Sequence, residues 1–234
     1  MSTANEQART ALQGASFLGG LPANLLDQLA QRARVTRYAR GETIYRRGDA
    51  GDTMMVIMSG RVKITNVTAE AKEVILNFLG RGDVNGEIAV LDGRERTANA
   101  VALEDTEALV LYRRDLLPVL MADPQSMLEV ITILCDKIRT TSALVEDNSL
   151  QMQGRTASGL HRLADQHGRK TPSGVMIDLK LSQRDLGSYL GLSRENVSRQ
   201  LKDLREAGLI KIEDQTLIIP DLDALRERAE SGIA

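Results

Sequence analysis

Apolar positions along the 234-residue chain change period twice. Between Leu21 and about Arg34, Leu21, Leu25, Leu26, Leu29 and Ala30 recur at helical spacing, and Pro22 is tolerated where a helix opens. From Thr36 to Arg113 the texture becomes short, often alternating runs: Thr43–Tyr45, Thr53–Met58, Arg61–Asn66, Val74–Leu79, Thr97–Ala102 and Ala108–Leu111. Glycines punctuate them, from Gly41 and Gly48 through Gly60 and Gly80 to Gly93. Many short strands with turn signals between them predict an antiparallel barrel or sandwich. Helical spacing returns at Arg114, with a short helix over Asp115–Ala122 and, after Asp123-Pro124, a long helical stretch from about Gln125 to Gln153. The segment from about Gly154 reads as helices closed by two short strands. The pattern thus predicts an α+β chain in three parts: an N-terminal β-barrel unit over 1–124, a long helix over 125–153 and a C-terminal unit over 154–234.

Within the long stretch, Leu134, Ile138, Thr141, Val145, Asn148 and Met152 fall at alternating steps of four and three, a heptad-like seam. Such a seam packs either on the chain's own barrel or on a second copy. Its length favours a two-chain coiled coil and hence a homodimer, with Asn148 setting register.

Composition narrows the classes. Aromatic residues make up only 3% and Trp is absent, so binding single-stranded nucleic acid by base stacking is disfavoured. The net charge of -2 requires any DNA contact to come from a local basic face. The single cysteine, Cys135, lies in an apolar stretch and reads as a buried packing residue. One thiol supports neither a disulfide within the chain nor an iron–sulfur cluster. The two histidines, His161 and His167, follow the long helix, and no spacing suggests a metal site or a haem ligand. No signal-type or membrane-spanning apolar stretch is evident, so a cytoplasmic protein with no membrane partner is expected.

The most specific segment runs from Leu181 to Ile210, LSQRDLGSYLGLSRENVSRQLKDLREAGLI. Ser182 caps a short helix with Leu186, Tyr189 and Leu190 inward, Gly191 turns the chain, and Ser193 caps a second helix. Val197, Leu201 and Leu204 form its buried face, while Arg194, Glu195, Ser198, Arg199 and Lys202 point the other way. Gly208 ends it, and Leu209–Ile212 and Leu217–Ile219 flank Glu213–Thr216 as a hairpin wing. These features predict a winged helix-turn-helix whose second helix enters the major groove of double-stranded DNA. An arginine can donate twice to guanine, and a glutamate can accept from cytosine. Ser182, Arg184 and Lys202 are placed for phosphates.

Ser193-Arg194-Glu195-Asn196-Val197-Ser198-Arg199 resembles the recognition helix of the cyclic AMP receptor protein (Crp/Fnr) family of bacterial transcription regulators. The resemblance implies a palindromic TGTGA-like site read by Arg194, Glu195 and Arg199. Ser198 is shared with a branch of the family that reads a TTGAT-like half-site.

A second segment, Gly86-Glu87-Ile88-Ala89-Val90-Leu91-Asp92-Gly93-Arg94-Glu95-Arg96-Thr97-Ala98, resembles the phosphate-binding cassette of cyclic-nucleotide domains. The barrel then becomes a cyclic-nucleotide-binding jelly roll and the long helix a dimerisation helix. Arg96 can grip the two free phosphate oxygens bidentately, Thr97 adds a hydroxyl and the opening N–H groups of a short helix add dipole attraction. Glu87 can accept from the ribose 2′-hydroxyl. In the absence of a ligand, Arg96 could instead pair with Glu87 or Asp92. Carried over from the family, Thr140 and Thr141 fall at the adenine contacts, one in its own subunit and one reaching across. Asn85 stands where the family usually has an aromatic residue, which loosens the pocket wall.

These readings combine into a cyclic-nucleotide-responsive, dimeric DNA-binding regulator. Its effector is cyclic AMP, with cyclic GMP as the alternative, and RNA polymerase is an expected partner. No nucleophile–base pair suggests an enzyme. The rival readings are a nucleotide-independent DNA-binding regulator and a nucleotide-binding regulatory subunit of an enzyme or channel.

Overall fold

A computed structural model describes residues 3–16, 18–147, 150–213 and 216–230. They form two compact units, Met1–Ile138 and Arg139–Ala234.

The first unit opens with α1 (Thr3–Gln13) and α2 (Ala23–Arg32), followed by β1 (Arg34–Tyr38), β2 (Thr43–Tyr45), β3 (Thr53–Ser59), β4 (Val62–Val67), β5 (Glu73–Leu79) and β6 (Val84–Asn85). The short α3 (Glu87–Asp92) precedes β7 (Asn99–Ala102), β8 (Thr106–Tyr112) and α4 (Arg113–Ala122). The eight strands make two antiparallel four-stranded sheets, ordered β1-β8-β3-β6 and β2-β7-β4-β5.

Period-two alternation decides which residue faces which layer. Met55 and Ile57 of β3, Val62 and Ile64 of β4, Leu79 of β5, Ala100 of β7 and Ala108 of β8 meet in one core supplied by both sheets. Their neighbours Met54 and Val56 of β3, with Leu109 and Leu111 of β8, pack on the opposite side against α1, α2 and α4. Strands β3 and β8 are thus buried on both faces, which is why Met54–Ile57 reads as a continuous apolar run rather than an alternating one.

The long helix α5 (Pro124–Asp147) runs from the first unit into the second. It stops short of the expected end at Gln153, because Met152 already opens α6 (Met152–His167). The backbone N–H of Leu150 donates to the Asp147 carbonyl (3.0 Å). The buried Asp147 carboxylate accepts from Ser158 Oγ (2.8 Å) and from Arg162, both on α6. Those bonds give the chain a fixed partner where it leaves α5.

The expected seam changes accordingly. Leu134 is half-buried and packs on the core of the first unit, Met152 belongs to α6, and Asn148 lies outside the described residues. The exposed apolar stripe of α5 is instead Leu128, Ile131, Ile138 and Val145, with Ile138 65% and Val145 66% accessible. Cys135 falls in this stripe and is exposed, which corrects the expectation of a buried thiol. Its segment is apolar, but the side chain is exposed, while the adjacent Leu134 packs on the core of the first unit. No single described helix is long and apolar enough to cross a membrane.

The second unit continues through β9 (Gly168–Thr171), β10 (Gly174–Ile177), α7 (Gln183–Leu190), α8 (Arg194–Glu206), β11 (Lys211–Glu213), β12 (Thr216–Ile219) and α9 (Leu222–Glu230). Its sheet is ordered β11-β12-β10-β9, so the wing hairpin extends a sheet rather than standing alone. The wing's turn residues Asp214 and Gln215 lie outside the described residues. Helix α1, the short strands β1 and β6, the β9–β10 hairpin and α9 were not anticipated from the sequence.

Candidate functional site

In the first unit the cassette forms a loop around one buried guanidinium. Arg96 is 5% exposed. Its backbone is held on both sides: its N–H donates to the Asp49 carbonyl, and its carbonyl accepts from the Gly48 N–H, each at 2.9 Å. Nη1 donates to the Gly86 carbonyl (3.1 Å) and Nη2 to Thr53 Oγ1 (2.8 Å). One face lies over the Tyr45 ring, 4.3 Å from its centroid. The Tyr45 hydroxyl in turn donates to Asn85 Oδ1. Among the described residues no carboxylate pairs with Arg96, so the alternative pairing with Glu87 or Asp92 is not formed. Its Nε is buried without a partner.

Two glycines make the cradle possible. Gly86 caps α3 at φ 89°, and a Cβ there would lie 2.4 Å from Arg96 Nη1 and 2.9 Å from the Thr53 carbonyl oxygen. Gly51 lets the 48–52 loop close over α3, since a Cβ there would sit 2.1 Å from that of Ala89. Ala89 and Ala98 are buried, whereas Ile88 and Thr97 are exposed.

Glu87 is 3% exposed. Its Oε1 accepts from Lys137 Nζ of α5 at 2.6 Å, while Oε2 is buried without a partner. Lys137, Thr53 and Tyr45 were missed in the sequence. Thr53 and Lys137 are 43 and 50 residues from their partners, and no local spacing links them. Thr140 and Thr141 lie on α5 beyond Ile138, in the second unit; Thr140 is half-buried and Thr141 exposed.

Burial pushes the Tyr45 phenol well above its ordinary pKa; the charge of Arg96 opposes this and that of Glu87 adds to it. The folded protein therefore keeps a proton that the unfolded chain releases near pH ~10. The resulting stabilisation is complete below that pH and is lost as pH climbs further. We expect the urea midpoint of the protein to fall above pH ~10, and Tyr45→Phe to flatten that decline. An alkaline limb unchanged by the substitution would assign it to other groups, such as Tyr189, which burial also raises.

In the second unit, the Ser182 side chain accepts from the Asp185 N–H (3.0 Å) and that of Ser193 from the Asn196 N–H (3.3 Å), so each helix is capped by the serine expected. Gly191 turns the chain between them at φ 65°. Val197, Leu201 and Leu204 are buried. Ser182, Arg184, Ser193, Arg194, Glu195, Ser198, Arg199 and Lys202 are all exposed. Arg199 pairs with no described carboxylate, whereas Lys202 meets Glu206 at 3.7 Å. Glu195 is held below the usual carboxylate range by its own backbone N–H and by the Ser193 hydroxyl, so at neutral pH it is an acceptor only. Gln183 borders the depression beside Arg184 and Arg194 and also the one beside Arg199 and Lys202. With Arg205, it extends this face beyond the residues expected.

Two family models match the chain. The cyclic nucleotide-binding domain covers residues 35–123, and the Crp-like helix-turn-helix domain covers residues 154–228. The chain belongs to the Crp/Fnr family. Its relatives within that family include the CRP-like cAMP-activated global transcriptional regulator of Mycobacterium tuberculosis, 28% identical over 220 residues, 93% of this chain and 98% of that protein. The cyclic AMP receptor protein of Thermus thermophilus is 29% identical over 224 residues, 95% of this chain and 100% of the other. Among solved structures, a CooA mutant from Carboxydothermus hydrogenoformans superposes with a TM-score of 0.72 at 25% identity, over 85% of this chain and 88% of that one. As a member of the Crp/Fnr family the chain is a transcription regulator rather than an enzyme, with a cyclic-nucleotide-binding domain and a DNA-binding helix-turn-helix.

Proposed function

We propose that the chain is a cyclic-AMP-responsive homodimer that binds a palindromic, TGTGA-like DNA site. The observation that carries the effector is the state of Arg96. A cation only 5% exposed, with no carboxylate partner and an unused Nε–H, is costly to bury unless an anion completes it. Two of its five donors are spent on Gly86 and Thr53. Three remain for the two free oxygens of a cyclic phosphodiester, and the orphan Oε2 of Glu87 is an acceptor suited to a ribose hydroxyl. The names of the Mycobacterium and Thermus relatives favour the adenine nucleotide over cyclic GMP. In this reading Gly86, Glu87, Ile88, Ala89, Arg96, Thr97 and Ala98 surround the sugar phosphate, and Thr140 and Thr141 meet the base.

The exposed stripe Leu128, Ile131, Ile138 and Val145 on α5 supplies the dimer seam. Two copies of α8 then face successive major grooves, about one helical turn apart. Arg194, Glu195 and Arg199 read bases, with Ser182, Ser193, Arg184, Ser198 and Lys202 along the backbone and groove edge. Ligand shifts the dimer between two states only by its differential affinity for them. RNA polymerase is the downstream partner, in the cytoplasm where the DNA lies.

The test is binding to a TGTGA-type duplex at one stated salt concentration, without nucleotide and with each cyclic purine nucleotide. Tightening by about tenfold or more with cyclic AMP, about 1.4 kcal/mol, supports the switch. Equal binding under all conditions removes the effector from the reading and leaves a constitutive DNA-binding regulator.

A further inference from the structure

We propose that Tyr45 and Asn85 form a positioning pair that fixes the plane of Arg96 and so sets how unequally it grips the two phosphate oxygens of a cyclic nucleotide. The inference rests on the reading of Arg96 as the phosphate residue and adds two residues to it.

Tyr45 ends β2 and Asn85 ends β6, strands of different sheets, so their hydrogen bond bridges the two layers at the mouth of the cassette. The register of β2 against β7 slips between Thr43 and Tyr45, and such an irregularity re-aims the side chain that follows it. Here it brings the ring against the guanidinium, 4.3 Å from centroid to Cζ. A half-buried phenol turned inward needs a partner, and the buried Asn85 supplies the acceptor that an apolar residue could not.

The ring blocks one face of the guanidinium. The Gly86 carbonyl and Thr53 hydroxyl hold two of its edges, and the backbone bonds to Gly48 and Asp49 hold its root. The group is thereby constrained in tilt as well as in place. The two exocyclic oxygens of a cyclic phosphate are diastereotopic, and a guanidinium fixed in one plane meets them unequally. A ring free to slide would let it meet both more evenly. The tether also survives changes in pH, because the buried phenol keeps its proton through the neutral range.

The experiment measures dissociation constants of the full-length protein for cyclic AMP and for its two phosphorothioate diastereomers, in which sulfur replaces one exocyclic oxygen or the other. The variants are Tyr45→Phe, Asn85→Leu and the double variant, which restores an apolar pair able to pack. Loss of one hydrogen bond is expected to weaken cyclic AMP by about three- to tenfold. The decisive readout is the ratio between the diastereomers: it should be far from one in the parent and move towards one in each variant. The double variant should lose no more than either single variant, since both act through one bond. Weakening of both diastereomers by a common factor, with the ratio kept, overturns positioning and leaves a packing role. A parent that binds none of the three nucleotides overturns the effector reading itself, a distinct result.

Discussion

Arg96→Lys is expected to weaken cyclic-nucleotide binding by roughly two orders of magnitude or more while leaving the protein folded. Lysine keeps the charge but not the planar fork. An ammonium turned towards an anion gives up the Gly86 carbonyl, the Thr53 hydroxyl and much of the stacking on Tyr45. Hydrogen bonds to charged groups contribute about 1.5–3 kcal/mol each, so losing a bidentate pair costs about 3–6 kcal/mol, with the retained charge favouring the lower end. Stability should respond in the opposite sense. Arg96 is a buried cation with no counter-charge, so Arg96→Met removes a desolvation cost along with two hydrogen bonds to neutral acceptors, and the ligand-free Tm should hold or rise. Titration calorimetry and thermal melting of both variants check this. A collapse of the ligand-free Tm would make Arg96 a structural residue.

Arg199→Ala is expected to remove sequence-specific DNA binding while sparing the weak, salt-dependent background. The side chain is exposed on α8, clear of any carboxylate among the described residues, and its neighbour Val197 carries the packing. A good bidentate contact to a base contributes about 1–3 kcal/mol of discrimination. In a two-fold dimer the substitution is made twice, so the palindromic site should lose about 2–6 kcal/mol. Affinity for unrelated duplex should change little, because that term comes from phosphates. Fluorescence anisotropy on specific and scrambled duplexes at several salt concentrations separates the two. Parallel losses on both duplexes would assign Arg199 to the backbone.

The place of both arginines in the fold was legible in the sequence because their surroundings are local. Ser193 caps α8 within three residues, and Gly86 and Arg96 lie in one short segment. What surrounds Arg96 and Glu87 was not legible. Thr53, Tyr45 and Lys137 arrive through sheet pairing and helix docking, at separations no periodicity records. The exposed stripe of α5 differs from the expected seam for a related reason: Leu134 and Ile138 have the same spacing signature, yet Leu134 is claimed by the chain's own core and Ile138 is not. The end of α5 depends on Asp147 finding Ser158 and Arg162 on the next helix, which the heptad pattern does not encode. The β9–β10 hairpin escaped because most of its residues are exposed or half-buried, leaving little alternation to read.

Cys135 has a practical consequence. It is the chain's only thiol, and it is exposed on the stripe of α5 assigned to the seam. In the proposed dimer a second copy docked there would cover it, so the rate at which a colourless disulfide reagent is reduced would become a clock for subunit exchange. The native protein thus carries its own footprinting probe, readable in a cuvette without mutation, dye or DNA.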